Sequence, residues 1–187
     1  VFSAIAAILM VLEFPVPFAP SFYGLDFSEL PALIGAFAYG PVAGVMIEFC
    51  KILIKLVLKP SSTAFVGELA NFSISCMLVL PASVIYLFKK SRKQAILGTV
   101  VGTLIMTAFG SCFNVIYLLP KFSELYGIPL DAIIGMGTAI NPAIHSISGL
   151  VLMCVVPLNL LKGGLVSLIT ILVYKKLSPI LKAAHKQ

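Results

Sequence analysis

Charge is what this sequence has least of. Only 11% of its 187 residues are Asp, Glu, Lys or Arg, against 60% hydrophobic, and the mean hydropathy is +1.10. A soluble domain carries about 25% charged and about 45–50% apolar residues. A chain this poor in polar surface cannot cover itself in water, so lipid must cover the rest. The four cysteines, Cys50, Cys76, Cys112 and Cys154, stand alone in apolar runs. With no CxxC pair, neither a zinc site nor a redox motif is indicated, and the four read as small apolar filler. No GxxxxGK[ST] loop occurs, so ATP hydrolysis by this chain is not expected. No internal repeat is visible, which argues against transporters built from two similar halves. The formal charge of +6 does not imply nucleic acid, because most of it flanks apolar runs.

What is present is a series of long apolar segments. A spanning helix needs roughly 20 apolar residues, so the length allows six spans and leaves no room for a soluble ATPase domain. The expectation is an all-α membrane protein forming one domain over 1–187. Its helices fall at about 1–12, 30–39, 42–59, 65–88, 95–119 and 156–177. The first run, Val1 to Leu12, is short for a span. Either the true N-terminus lies upstream or this is a short element, and a cleaved signal peptide is not expected, since no charged leader precedes the run and no small-residue cleavage site follows it. Residues 13–29, EFPVPFAPSFYGLDFSE, hold three prolines in six positions and cannot be a continuous helix. Their aromatics Phe14, Phe18, Phe22, Tyr23 and Phe27 suit a loop that packs on something. Helix 2 ends at Gly40-Pro41, and Pro41 can open helix 3. Helix 5 is expected to stop before Pro120. A mildly polar connection covers 121–141, and 142–155 can form a short extra helix.

Lys89, Lys90, Arg92 and Lys93 follow helix 4, and Lys175, Lys176, Lys182 and Lys186 lie in the C-terminal tail. Six spans put both groups on one face, which the positive-inside rule makes cytoplasmic. Both termini are then cytoplasmic, and the aromatic loop lies outside.

Charged residues inside spans are expensive and are functional candidates by default. Here they are Glu48, Lys51, Lys55, Glu68 and Lys162, joined by Asn71, Asn114 and Asn159. Their positions bring polar groups from four helices to one level in the outer half. Glu68 and Asn71, like Asn159 and Lys162, are three apart and share a face. For several of these residues two readings stand. Glu48 and Lys51 either neutralise each other or serve a ligand. Glu68 either caps its helix start or faces the site. Asn71 and Asn114 either tie helices together or bind. Lys55 is expected to snorkel to the surface, and His145 to be a loop residue. Such a set suits a small neutral ligand: asparagine offers a donor and an acceptor, and lysine a donor. No nucleophile stands beside a base, so enzyme chemistry, including a lipid-modifying membrane enzyme, is not supported. No metal site is expected.

The stretches EFPVPFAPSF (13–22), LDFSELPALIGAFAYGPVAGV (25–45), VGELANF (66–72), NVIYLLP (114–120), PLNLLKG (157–163) and LVYKKLSP (172–179) resemble the substrate-binding S components of energy-coupling factor (ECF) vitamin transporters, in particular the riboflavin-specific branch. The resemblance implies the six-helix S-component fold, a vitamin held near the outer face, and a first loop closing over it. It implies riboflavin as transported ligand, with flavin mononucleotide as a second candidate and another vitamin as the alternative. No cofactor is implied. The expected partners are a transmembrane T component and two ATPase subunits in the cell membrane. It places Asn159 and Lys162 at the flavin's polar edge and brings Asn71, Asn114 and Lys51 to the site. Glu68, Asp26 and Leu25 complete the candidate ligand set. Small residues of helix 1 resemble a docking surface for the T component, with Ser3 and Ala7 as the pair and Ala4 beside them.

Overall fold

The computed structural model describes the backbone of residues 1–183 and the side chains of residues 1–173. The tail lysines Lys175, Lys176, Lys182 and Lys186, which carry half of the sidedness expectation, lie outside the described side chains. The chain runs α1 (Phe2–Val11), β1 (Phe14–Pro15), β2 (Gly24–Leu25), α2 (Glu29–Tyr39), α3 (Pro41–Leu58), α4 (Val66–Phe88), α5 (Arg92–Phe113), α6 (Leu119–Tyr126), α7 (Leu130–Thr138), α8 (Ile147–Leu150) and α9 (Val156–Ala183). Five-residue π-helical turns, Asn114–Leu118 and Val151–Val155, join α5 to α6 and α8 to α9. Among the described residues this makes seven continuous helices, where the sequence led us to expect six. The additional one is α7, inside the connection expected to be a loop.

Among the described residues, three helical stretches are individually long and apolar enough to cross a membrane: Val66–Phe88, Arg92–Tyr126 and Ile147–Val173. α3 has a spanning length of 18 residues but carries Glu48, Lys51 and Lys55. α1 and α2, with 10 and 11 residues, reach only about 15–17 Å at about 1.5 Å per residue.

Helix 5 does not stop at Pro120, and the π turn explains why. The amide of Leu119 bonds five residues back to the carbonyl of Asn114. The helix therefore restarts at Leu119, and Pro120 falls in a first turn, where a missing N–H is tolerated. The second π turn does the same for Pro157: the Val156 amide bonds to the Val151 carbonyl. Thus the expected short helix at 142–155 and the helix from 156 are one element.

α4 and α5 pack at the closest distance backbones allow. A Cβ on Gly98 would stand 2.5 Å from the Ala82 carbonyl oxygen, and one on Gly102 2.5 Å from that of Leu78. The helices meet because glycine leaves the groove empty, the usual route to association where lipid supplies no hydrophobic drive. One apolar cluster, including Leu33, Phe37, Leu78, Val79, Tyr86 and Val166, joins α2, α4 and α9. A second lies at the opposite end. There Val16, Ala19, Tyr23 and Leu25 of the first loop pack with Val66, Leu118, Phe122, Ile133 and Leu150.

Candidate functional site

The first loop is folded. β1 and β2 pair antiparallel, Phe14 opposite Leu25 and Pro15 opposite Gly24, so residues 13–28 form a flap across the end of the bundle where α3 ends and α4 begins. Beneath it is a cavity of about 650 Å³ lined by the flap and by α2, α4, the ends of α5 and α6, and α9. Asp26, Glu68, Asn71, Asn114, Asn159 and Lys162 all line it. Two residues expected at the site do not: Lys51 is buried beside the cavity and Leu25 belongs to the apolar cluster under the flap.

The flap is fastened at two points. The Tyr23 hydroxyl donates to Asn114 Oδ1 at 2.6 Å, and Asn114 Nδ2 donates to the Gly110 carbonyl at 2.7 Å. Both polar ends of Asn114 are thus engaged. Burial pushes the Tyr23 phenol well above its ordinary pKa, with Cys154 adding to the shift, so it stays a donor. The second fastening is ionic. Lys162 Nζ lies 2.9 Å from Asp26 Oδ2 and 2.7 Å from Glu29 Oε1. Asp26 also accepts the Ser28 amide at 2.8 Å. Burial works to raise the Asp26 pKa. The charges of Lys162 and Lys51 and the hydrogen bonds from Ser28 and Lys162 outweigh it and hold the carboxyl below its ordinary value.

The ionic cluster extends inward. Glu29 Oε1 accepts the Ser75 hydroxyl at 2.6 Å. Lys51 Nζ donates to Ser28 Oγ at 3.0 Å, pairs with Glu48, and stands 3.9 Å from Glu29. Of the two readings of Glu48 and Lys51, mutual neutralisation is the one seen. Lys51 holds the flap base through Ser28 instead of facing the cavity.

Lys55 does not snorkel; it pairs with Glu68. The other Glu68 oxygen accepts the hydroxyls of Ser61 (2.8 Å) and Thr63 (3.1 Å). These two also accept the amides of Phe65 (2.9 Å) and Gly67 (3.0 Å). They hold Ala64 (φ 46°) and Phe65 (φ 68°) in the left-handed region at the start of α4, so Glu68 anchors the turn before its helix through Ser61 and Thr63 while it lines the cavity. At the mouth, Lys59 lies 3.5 Å from Glu13.

Two of the lining asparagines keep a free group: Asn71 Oδ1 and Asn159 Nδ2 are buried without a hydrogen-bond partner. Among the described residues, no group of three or more His, Cys, Asp or Glu could hold a metal ion. Sequence reasoning passed over Glu29 and Tyr23 as site residues. Glu29 is three residues from Asp26 and opens α2, where a carboxylate is stabilised by the helix dipole; Lys51 and Lys162, two of the three intramembrane lysines, needed counter-charges, and that was the available signal. On α1, Ala7 is fully buried inside the chain and Ser3 is half-buried. Of the expected Ser3–Ala7 pair, Ala7 is thus turned inward and Ser3 is only partly covered. The exposed face of α1 carries Ala4, Ile5 and Ile8.

The family profile described as "ECF transporter, substrate-specific component" matches residues 1–174. The chain is 34% identical over 180 residues to "Riboflavin transporter RibU" of Staphylococcus aureus (strain TCH60), covering 96% of this chain and 88% of that one. It is 32% identical over 180 residues to "Riboflavin transporter FmnP" of Bacillus subtilis (strain 168), covering 95% and 88%. Its fold is similar to a solved structure described as "Structure and mechanism of the S component of a bacterial ECF transporter". The TM-score is 0.73 at 36% identity, covering 97% of this chain and 93% of that one.

Proposed function

The chain belongs to the family of substrate-specific components of ECF transporters, and on that premise we propose that it is the membrane subunit that binds riboflavin and presents it for uptake. The observation that carries this is the roughly 650 Å³ cavity under the flap, with Asn71, Asn159 and Lys162 on its wall. Its size is that of a small-molecule site. A flavin is an apolar ring with one polar edge of carbonyls and an N–H. Asn159 and Lys162 supply donors for such an edge, and Asn71 supplies an acceptor. The flap's aromatic side chains then cover the ring. Lys55 and Lys59, the cations nearest the mouth, already face Glu68 and Glu13. That favours the uncharged vitamin over its mononucleotide.

In this reading the chain crosses the membrane several times, with the flap outside and both termini in the cytoplasm. Uphill movement requires an energy source that the chain's own motifs do not provide, so a T component and two ATPases complete the transporter. The T component docks on exposed small residues of α1 around Ala4. Purified protein should quench the fluorescence of added riboflavin in a saturable titration. Failure of riboflavin to quench, with another vitamin raising the melting temperature instead, would assign a different ligand to the same fold.

A further inference from the structure

Glycine inside a helix is less favourable than alanine, so each buried glycine of α5 needs a reason. Gly98 and Gly102 have one: a Cβ there would strike the backbone carbonyls of Ala82 and Leu78 on α4, which cannot step aside. Gly110 is also buried in α5, but it meets a different neighbour. A Cβ on it would stand 2.8 Å from Nδ2 of Asn159 on α9. The next atoms, Cγ2 and Cδ1 of Ile74, lie at 3.5 and 3.6 Å, which is ordinary contact. The one obstacle to alanine at 110 is therefore the tip of a single side chain, and that side chain lines the cavity.

Asn159 Nδ2 is buried and has no partner within the protein. It is available to a ligand only while the space it occupies stays open. Non-bonded heavy atoms rest at about 3.5 Å or more, so a methyl at 110 would push the amide away by roughly 0.7 Å. A hydrogen bond tolerates only about 2.7–3.2 Å, so a shift of that size breaks or bends one that was well made. We propose that Gly110 is a positioning residue for the ligand: its missing side chain is the seat of the Asn159 amide and holds Nδ2 where it donates to a carbonyl on the ligand's polar edge. This rests on the riboflavin reading above. Gly110 is not on the cavity wall, so it acts through Asn159. Its carbonyl separately accepts Asn114 Nδ2 at 2.7 Å, a bond that alanine keeps. One residue of α5 thus serves two asparagines of the site, one by its carbonyl and the other by the Cβ it lacks.

The test is a double-mutant cycle on the full chain in detergent: wild type, Gly110→Ala, Asn159→Ala and the pair together. Gly110→Ala should raise the riboflavin Kd about tenfold, read by fluorescence quenching. In the Asn159→Ala background the same change should leave the Kd within about twofold. Protease protection of residues 13–28 should be unchanged, because the bonds from Tyr23 to Asn114 and from Asn114 to the 110 carbonyl persist. Without ligand, Gly110→Ala should raise the melting temperature when residue 159 is alanine, since alanine is the better helix former. With Asn159 present it should raise it less, or lower it. A loss of affinity that persists in the Asn159→Ala background overturns the proposal, because the new methyl then obstructs the ligand itself or moves α5. So does an unchanged Kd in Gly110→Ala, and so do equal melting shifts in the two backgrounds. If wild type fails to bind riboflavin, the proposed function falls by itself, and the ligand-free melting cycle still decides whether Gly110 seats Asn159.

Discussion

Tyr23→Phe takes one oxygen from the flap and nothing from its packing. The ring still sits between Phe22 and the apolar cluster under the flap. What is lost is a 2.6 Å hydrogen bond to Asn114 Oδ1, on a residue that is 2% exposed. Asn114 cannot turn to find another donor, because its Nδ2 is committed to the Gly110 carbonyl. Leaving a buried acceptor unsatisfied costs about 1–3 kcal/mol. With tenfold per 1.4 kcal/mol, that shifts the closed-to-open equilibrium of the flap by about 5- to 150-fold. If the closed flap is the state that holds ligand, riboflavin should leave faster by up to that factor, and the Kd should rise with it. Stopped-flow fluorescence gives the off-rate, and proteolysis within residues 13–28 reports flap opening independently. A variant whose off-rate and cleavage both stay within twofold of wild type would show that Tyr23 is not a latch.

Asn159→Ala should weaken riboflavin binding by about ten- to a hundredfold, since it removes a hydrogen-bonding partner from the flavin edge; fluorescence titration of the folded variant checks it. Gly102→Val should drive α5 off the Leu78 carbonyl and lower stability by about 1–3 kcal/mol or more, measured as a drop in melting temperature, with Gly102→Ala falling between. Asp26 is held below its ordinary value, so its pairing with Lys162 is at full strength above about pH 4 and is lost as pH falls through the lowered value; proteolytic protection of the flap should therefore hold at pH 5 and collapse only in stronger acid, and Asp26→Asn should abolish that acid dependence. Ala4→Trp should leave riboflavin binding intact and block uptake by wedging the partner helix away, whereas Ala7→Trp should destabilise the subunit itself; normal uptake by cells carrying Ala4→Trp would place docking elsewhere.

Polar groups were the legible part of the site. In a chain with so few charges, each one inside an apolar run marks a location, and the three-residue spacings of Glu68 with Asn71 and Asn159 with Lys162 fixed the faces they share. Their partners were not legible, because ion pairs such as Lys162 with Asp26, 136 residues apart, depend on how the flap folds back. Lys55 illustrates the limit: alone near a helix end it has every reason to reach for water, and only the turn that brings Glu68 beside it changes the outcome. The orientation of α1 was hidden for a different reason. Its sequence, FSAIAAILMV, is apolar or small all round, and such a helix carries no pattern saying which side faces inward. The prolines misled in a third way: a proline does end an ordinary helix, but a π turn just before it resets the hydrogen-bond register and lets the helix continue.

Those two π turns also divide the labour around the cavity. Asn114 begins the first, and Asn159 follows the second by four residues. A wide turn rotates the following residues relative to a regular α-helix, so each changes which side chains face the cavity. Asn114 keeps the register of α5, its backbone amide bonding to the Gly110 carbonyl, so the first turn acts on the residues after it, whereas the second precedes Asn159 and Lys162 and helps set their place on the cavity wall. Lys162 then does two jobs at one position. Its pairing with Asp26 holds the flap, and in the proposed function its place on the wall would make it a donor for a ligand carbonyl. A ligand that drew Lys162 away from Asp26 would loosen the flap it needs, unless Glu29 kept the ammonium in place. Glu29 is suited to that role because Ser75 and the α2 helix start fix it from the opposite side. Release of Asp26 would then open the flap while Glu29 keeps Lys162 in one orientation, as the capture and release of ligand in the proposed function require.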